Sequence, residues 1–272
     1  MTQLAKLHQV ELEILKTIIH ICDTATIPYF LIGGSLLGTI RHQGFIPWDD
    51  DIDVGFLRAD YERFLKIAPD YLTAQETLIT EDNTAEYGLA FAKIVAENTE
   101  ISEAQNLPNR AVHSVYIDLF PFDKIPAQSL QRKVQYVQFK ILTKAILERL
   151  HYGQVDGWQK RIVVNLINVC LAPFSVKTLK HWRYRTATHY EKQPDEDVIN
   201  ISSQYAYGHE IILKAEQNNF IQAPFENLSV QVLKDYDAIL TRMYHDYLKL
   251  PPESEQKGKH LSTLVIDGEK IE

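Results

Sequence analysis

The fold of this chain is decided by two neighbouring stretches, Tyr29-Phe30-Leu31-Ile32-Gly33-Gly34-Ser35-Leu36-Leu37-Gly38 and Trp48-Asp49-Asp50-Asp51-Ile52-Asp53-Val54. The first is an apolar run that leads into a turn of small residues. In the second, Asp51 and Asp53 bracket one apolar residue. Because residues two apart project from the same face of a strand, we expect both carboxylates to point the same way, with Ile52 and Val54 directed into the core.

The chemistry of these stretches indicates a metal site beside a phosphate site. Two carboxylates on one face are costly unless a cation lies between them, and hard oxygen ligands suit Mg²⁺ or Mn²⁺. The Gly33-Gly34-Ser35 turn enters a helix and offers backbone N–H groups and a hydroxyl, which suit a phosphate. A metal ion beside a phosphate cradle is typical of phosphoryl or nucleotidyl transfer.

The composition is that of an ordinary globular protein, with 45% hydrophobic and 24% charged residues among 272. A formal charge of -8, without a long Lys or Arg run, argues against broad nucleic-acid binding. Cys22 and Cys170 are expected to be buried free thiols. The first residues show no signal-peptide pattern, and the apolar run 162–174 is shorter than the roughly 20 residues of a membrane span. We therefore expect a buried helix there and a cytoplasmic protein.

Hydrophobic spacing predicts a mixed α/β fold, that is, an α+β arrangement with a mixed sheet. Up to residue 125 the order is helix, strand, turn and helix, strand, helix, strand, strand. After Pro126 the pattern becomes mostly helical. We predict a catalytic core over residues 1–125 and a mostly helical part over residues 126–272, packed on the core at the acceptor side. The boundary is either a domain border or a seam within one continuous domain.

A nucleotidyl-transfer core needs a third carboxylate from a neighbouring strand, which completes the metal site or accepts a proton from the attacking hydroxyl. Asp118, in Tyr116-Ile117-Asp118-Leu119-Phe120, is the best candidate, because an acid inside an apolar strand is costly without a partner. The alternative is a strand-end aspartate paired with Lys or Arg.

Longer motifs resemble one family. The run from Tyr29 to Val54, including Arg41-His42-Gln43-Gly44-Phe45-Ile46-Pro47, closely resembles the LicD family of bacterial phosphocholine transferases and, more distantly, the fukutin-type sugar-phosphate transferases. Tyr116-Ile117-Asp118-Leu119-Phe120-Pro121 resembles the second core motif of that family. The stretches 234–237 and 244–252 resemble its C-terminal signature, although His245 stands where the family has glycine.

The resemblance implies a nucleotidyltransferase-like fold, a divalent metal ion (Mg²⁺ or Mn²⁺) and a CDP-linked alcohol as donor. Phosphocholine would pass from CDP-choline to a hydroxyl of a cell-surface glycan of the teichoic acid, lipopolysaccharide or capsule type, releasing CMP. Asp51, Asp53 and Asp118 would be the catalytic, metal-holding residues, and the Gly33-Gly34-Ser35 turn would cradle the donor phosphates. A lipid-linked glycan acceptor would bring the protein to the inner face of the membrane.

Three other side chains are candidates for donor binding. Arg41 is suited to bidentate phosphate binding, with a surface ion pair as the alternative. Lys93 is a lone cation in a predicted strand and is expected to face the phosphates. A quaternary ammonium calls for an aromatic cage, and Trp48 is preferred because it lies beside the acidic pair. The full set of aromatic candidates is Trp48, Tyr87, Tyr116, Trp158, Trp182, Tyr205 and Tyr207.

Other functions stay open at this point. An EF-hand loop with ligands from Asp49 to Asp60 would need glycine at its sixth position, where Val54 stands. A sugar-nucleotide glycosyltransferase would use the Asp-x-Asp pair alone, without the Gly-Gly-Ser turn. The remaining alternatives are transfer of ribitol or glycerol phosphate from a CDP-linked donor, an NTP-dependent toxin or antibiotic nucleotidyltransferase, and an inactive nucleotide-binding scaffold.

Overall fold

The computed structural model describes residues 2–103, 109, 111–153, 158–194, 196–256, 258 and 261–271. The fold is mixed α/β, as the sequence predicts. The α-helices are α1 Gln3–Ala25, α2 Gly33–His42, α3 Arg58–Ile67, α4 Ser129–Arg149, α5 Trp158–Leu171, α6 Val176–Ala187 and α7 Tyr236–Tyr244. The strands are β1 Phe30–Leu31, β2 Asp53–Leu57, β3 Glu76–Ile79, β4 Ala92–Ala96, β5 Thr99–Glu103, β6 Tyr116–Lys124, β7 Val198–Ile199, β8 Ile211–Ile212, β9 Phe220–Phe225, β10 Leu228–Leu233, β11 Leu261–Ile266 and β12 Glu269–Ile271.

The central sheet has the strand order β1-β2-β6-β4-β3, and β7 and β8 extend it from β6. Strands β2 and β6 are parallel, whereas the other paired strands of this sheet that the structure describes are antiparallel. This pairing places Asp53 beside Asp118, and Lys93 on β4 beside Asp118 on the other side. Three predicted site residues therefore form a row across three adjacent strands.

Helix α1 covers the sheet with the apolar face that its sequence pattern predicts. Leu7, Ile14, Ile18 and Ile21 are buried, and they recur at helical spacing. The helix begins after Thr2, whose hydroxyl accepts a hydrogen bond from the Ala5 N–H at 3.2 Å. The N-terminal helix is thus fixed both by its cap and by burial.

Strand β2 begins two residues later than the predicted strand, at Asp53 rather than Asp51. The alternation of burial nevertheless starts at Asp51, because Ile52 and Val54 are buried while Asp51 and Asp53 are half-buried. The expectation that the two carboxylates share a side is confirmed, since both line one cleft.

The chain after residue 126 contains the predicted helices but is joined closely to the first half. Strand β7 pairs with β6, β11 pairs with β5, and the largest apolar core includes residues from both halves, such as Ile18 and Leu240. The division at residue 125 stays a prediction.

Two predictions about burial are wrong in part. Helix α5 was expected to be buried, but Ile162, Leu166 and Val169 are exposed on it. Both cysteines are free thiols, yet only Cys22 is buried, because Cys170 lies on the exposed face of α5.

Helix α7 ends at Tyr244 and is followed by His245, where the resemblance implies glycine. Its backbone angles are φ +59° and ψ -106°. This conformation favours glycine, because a Cβ is crowded there. In this chain histidine adopts that conformation at the end of the helix.

A buried ion pair joins α3 to the end of β6. The guanidinium of Arg58 donates two hydrogen bonds to Asp123, at 2.6 and 2.8 Å, and Asp123 is fully buried. Burial alone would lower the pKa of Arg58, but the Asp123 carboxylate raises it overall. Removal of one partner of such a pair leaves the other charge buried and uncompensated.

We expect the substitution Asp123→Ala to lower the free energy of unfolding by about 3–5 kcal/mol, because Arg58 would keep its burial and lose its counter-charge. Urea denaturation measures the difference. The control is Glu13→Ala, which removes an exposed ion pair with Lys16 and should cost less than about 1 kcal/mol. Equal losses in the two variants would contradict the stabilising role of the buried pair.

Candidate active site

A cleft of about 930 Å³ lies over the row formed by Asp53, Asp118 and Lys93. Asp51 lines the same cleft, so four of the predicted site residues face one cavity. The volume is within the range of roughly 300–1,000 Å³ that is usual for ligand pockets.

Lys93 and Asp118 form an ion pair inside this cleft. The ammonium of Lys93 donates a hydrogen bond to Oδ1 of Asp118 and lies 3.3 Å from the ring centre of Tyr116. The side chains are only 6% and 14% exposed, so the pair is largely withdrawn from solvent. The alternative interpretation of Asp118 was a strand-end aspartate paired with Lys or Arg. Asp118 does have a lysine partner, but the pair lies within the cleft and beside Asp53.

The electrostatics of the row favour a bound cation. The pKa of Asp53 is raised well above its ordinary range, first by burial and then by the negative charges of Asp51, Asp118 and Glu210. Lys93 acts in the opposite direction. A metal ion close to these carboxylates would stabilise their charged forms.

Two aspartate carboxylates pack closely against Gly33 and Gly34 at the start of α2. Gly33 has φ +55°, and a Cβ on it would lie 3.3 Å from Oδ2 of Asp53. A Cβ on Gly34 would lie 2.5 Å from Oδ2 of Asp49. Ser35 accepts a hydrogen bond from the Asp53 N–H at 2.8 Å, which fixes the start of α2 against the start of β2. Phosphate binding by this turn stays a prediction.

Asp49, Asp50 and Asp51 form an acidic cluster beside the row. One carboxylate oxygen from each residue lies within 4.8 Å of the others. This set of carboxylates fits Mg²⁺ or Mn²⁺, which prefer oxygen ligands. Asp51 belongs both to this cluster and to the predicted metal-holding set of Asp51, Asp53 and Asp118, and metal binding by all three stays a prediction.

The loop that carries this cluster is held from both sides. His8 of α1 stacks on Phe45 at 3.7 Å, and its Nε2 lies 2.8 Å from the carbonyl oxygen of Asp49. From the other side, Oε1 of Glu226 accepts a hydrogen bond from the Phe45 N–H at 3.1 Å. Gly44 is needed here, because a Cβ would lie 2.1 Å from that glutamate oxygen.

Arg41 and Trp48 are not among the residues that line the cleft. Arg41 donates hydrogen bonds to the carbonyl oxygens of Tyr247, at 2.9 Å, and Lys249, at 3.4 Å. The ring of Trp48 is edge-on to His42, with 6.4 Å between centres. Their roles in donor binding stay predictions.

An EF-hand is excluded, because strand β2 and helix α3 occupy the positions that its loop would need.

Comparisons with known proteins give the family. The sequence profile of the LicD/FKTN/FKRP nucleotidyltransferase domain matches residues 26–162. The lipopolysaccharide cholinephosphotransferase LicD of Haemophilus influenzae is 30% identical in an alignment of 266 positions, which covers 90% of this chain and 91% of that protein. This chain belongs to the LicD family. The ribitol 5-phosphate transferase FKRP of Homo sapiens is 42% identical over 48 residues, which are 18% of this chain and 10% of FKRP.

The LicD-family domain match contains the row, the acidic cluster and the glycine turn. Residues beyond the match complete the cleft. Asn200, Ser203, Tyr205 and Glu210 line it from the segment between β7 and β8.

Sequence reasoning missed Glu210. This residue is 6% exposed, and Nδ2 of Asn200 donates a hydrogen bond to its Oε2 at 3.1 Å. Burial raises its pKa to about 7, although hydrogen bonds from Ser203 and Asn200 and the charge of Lys140 act in the opposite direction. The available signal was a lone acid immediately before the apolar pair Ile211-Ile212.

The cleft of this LicD-family protein also selects among the aromatic candidates. Tyr87, Tyr116 and Tyr205 line it, whereas Trp48, Trp158, Trp182 and Tyr207 are not among its lining residues. Phe91, Phe120 and Tyr152, which sequence reasoning did not consider, line it too. The face of Tyr116 is already covered by the Lys93 ammonium.

We expect Glu210→Gln to gain stability relative to wild type as the pH rises from about 5 to about 8, by on the order of 3 kcal/mol. A carboxyl with a pKa of about 7 in the folded state, against 4.5 as the ordinary value, binds more protons when folded than when unfolded. Its ionisation therefore lowers stability as the pH rises, and glutamine removes that loss.

Urea denaturation of both proteins at the two pH values measures this difference. Glu13→Gln, a change at an exposed acid, serves as the control and should leave the pH dependence as in wild type. A stability difference for Glu210→Gln that is the same at both pH values would contradict the burial argument.

Proposed function

We propose that this protein is a metal-dependent transferase that moves phosphocholine from CDP-choline to a hydroxyl of a cell-surface glycan, releasing CMP. Two findings support the proposal: membership of the LicD family and 30% identity over 90% of the chain to a lipopolysaccharide cholinephosphotransferase. The observation that carries it is the row of Asp53, Asp118 and Lys93 inside a cleft of ligand size.

Asp51, Asp53 and Asp118 would hold Mg²⁺ or Mn²⁺, with Asp49 and Asp50 close by in the acidic cluster. When bound, the metal would neutralise the pyrophosphate and the charge that develops on the leaving CMP. The start of α2 supports this arrangement, because Ile32 provides no side-chain cap and leaves N–H groups of the first turn for a phosphate.

The residues of the row have separate roles in the transfer. Lys93 adds positive charge beside the phosphoryl group, and its ion pair holds the Asp118 carboxylate in place. Asp118 accepts the proton of the acceptor hydroxyl while that oxygen attacks the choline-side phosphorus in line. The bond between this phosphorus and the bridging oxygen breaks, and CMP leaves with the electron pair.

The choline group would be bound by the side of the cleft that contains Tyr205 and Glu210. These two side chains are close enough for the Glu210 charge to contribute to the raised pKa of Tyr205, whose largest cause is burial. An aromatic face and a carboxylate are the groups that attract a quaternary ammonium. The hydroxyl of Tyr205 lies 3.0 Å from that of Tyr244, which holds the ring in place.

Transfer of another CDP-linked alcohol phosphate is the second candidate. It is favoured by the match to FKRP, which covers only 18% of this chain. The acceptor would be a glycan, in free or lipid-linked form. The reaction would take place where CDP-linked donors are present, in the cytoplasm or at the inner face of the membrane.

The proposed reaction is tested by CMP release from CDP-choline with Mg²⁺ or Mn²⁺ and a panel of glycan acceptors. We expect acceptor-stimulated release that EDTA abolishes and that Asp53→Asn lowers by about a hundredfold or more. Asp60→Asn, at an acid that pairs with Arg63 on the surface, should retain activity.

The absence of CMP with every acceptor would be resolved by calorimetry with CDP-choline in the same samples. Binding would show that the acceptor was missing from the panel, and absence of binding would overturn the donor assignment. Full activity of Asp53→Asn would overturn the role of the row.

For the choline site we expect Tyr205→Leu to raise the KM for CDP-choline about tenfold, because a cation–π contact is lost. Tyr207→Leu is the matched control, since Tyr207 packs on Tyr136 and is not among the lining residues of the cleft. The KM for CDP-ribitol should change little in both variants. Equal use of CDP-ribitol and CDP-choline by the wild type would overturn the choline assignment.

A further inference from the structure

The exposed face of α5 is apolar. Trp158, Ile162, Leu166 and Val169 recur every three or four residues, so they lie along one side of the helix. The exposed fractions of Trp158, Leu166 and Val169 are 72%, 63% and 71%. The helix also has an inner apolar side, where Ile167 packs against the core between α4 and α6. Helix α5 therefore has two apolar sides, and only the inner one is used for packing against the core.

Helix α4, which contacts α5, carries a second exposed apolar stripe. Leu130, Val134, Val137 and Ile141 are spaced by four, three and four residues and are all exposed. Together the segment 129–175 contains ten of the fifteen large hydrophobic side chains that are exposed among the residues the structure describes. Such a concentration marks an interaction surface rather than the scattered exposure of an ordinary surface.

The charge of the same segment is opposite to that of the rest of the protein. Residues 129–175 contain 7 Lys and Arg against 2 Asp and Glu, a net charge of +5, whereas the whole chain has -8. Exposed Lys133 and Lys144 lie on α4 beside the apolar stripe, and exposed Lys177 and Arg185 lie two turns apart on α6. Basic residues next to an apolar helical face are typical of helices that lie in the interface of an anionic bilayer.

We infer that the α4–α5 surface, defined as the exposed apolar residues of α4 and α5 with their flanking basic residues, docks the protein on an anionic lipid membrane. The apolar side chains of α5 enter the headgroup region, with Trp158 at the level preferred by aromatic residues. The basic side chains contact the anionic headgroups. The inference rests on this surface alone, and it adds to the proposed function by bringing the cleft to the place where lipid-linked acceptors are found.

Charge favours a membrane over a second copy of the chain as the occupant. Two copies meeting through this surface would bring two segments of net charge +5 together, whereas an anionic leaflet is complementary to each. No single helix among the described residues is long and apolar enough to cross a bilayer. The segments Arg161–Leu171 and Val176–Tyr190 reach that length and composition only as a pair, and they are bent by 103°.

The inference is tested by flotation of the full-length protein with vesicles of phosphatidylcholine alone or of equimolar phosphatidylcholine and phosphatidylglycerol. We expect at least about tenfold more protein on the anionic vesicles, with the bound fraction falling as NaCl is raised. The double substitution Leu166→Ser and Val169→Ser should abolish flotation. Its control is Leu213→Ser and Leu248→Ser, which removes two exposed leucines elsewhere.

Charge is tested separately with Lys133→Glu and Lys144→Glu, which should lower binding to anionic vesicles about tenfold or more. The matched pair Lys66→Glu and Lys234→Glu makes the same change of net charge on exposed residues outside the surface and should bind like wild type. Circular dichroism confirms that each variant is folded.

Equal binding to both kinds of vesicle, or equal losses in test and control variants, would overturn the inference. A second result would also overturn it. In that result light scattering shows that the wild type is a dimer, the α5 substitutions convert it to a monomer, and no sample floats with vesicles. CMP release with a water-soluble acceptor in the same samples keeps the two proposals apart. An active protein that does not float refutes only the membrane surface, and a floating protein without activity refutes only the reaction.

Discussion

Asp53 and Asp118 lie side by side on neighbouring parallel strands, so their carboxylates are held close together in the half-buried lining of the cleft. Like charges at this spacing repel, and low polarity strengthens the repulsion. Lys93 enters from the next strand as a partial counter-charge. The register of the three strands therefore leaves negative charge that Lys93 compensates only in part, and a divalent cation is suited to compensate the rest.

Contacts from the surrounding structure keep these carboxylates from moving apart. Ser35 ties the start of α2 to the Asp53 backbone, and the absence of a Cβ on Gly33 lets the carboxylate approach the helix. The acidic loop is held by His8 on one side and by Glu226 on the other. Repulsion among the carboxylates is thus opposed by contacts from α1 and from Glu226, which lies between β9 and β10. Together these contacts hold the site in place.

Local patterns in the sequence were enough for the elements that build the row. The alternation around Asp53 and the lone acid at Asp118 predicted two strands with carboxylates on the same side, and the structure places them together. Long-range features were not predictable in this way. Strand β5 carries few apolar residues and depends on pairing with β11, about 160 positions later, and Glu210 reaches the cleft only through β7 and β8. The outward face of α5 was missed for another reason, because an apolar run does not tell which side the core will use.

The pairing of β5 with β11 also affects how the protein is made. Residues Glu100, Ile101 and Ser102 of β5 line the cleft, but their partner strand spans Leu261–Ile266. During synthesis the first strand leaves the ribosome long before the second, so this wall of the cleft is completed only after about 160 further residues have been made. Until then β5 presents an unpaired edge, which makes it a natural contact for chaperones.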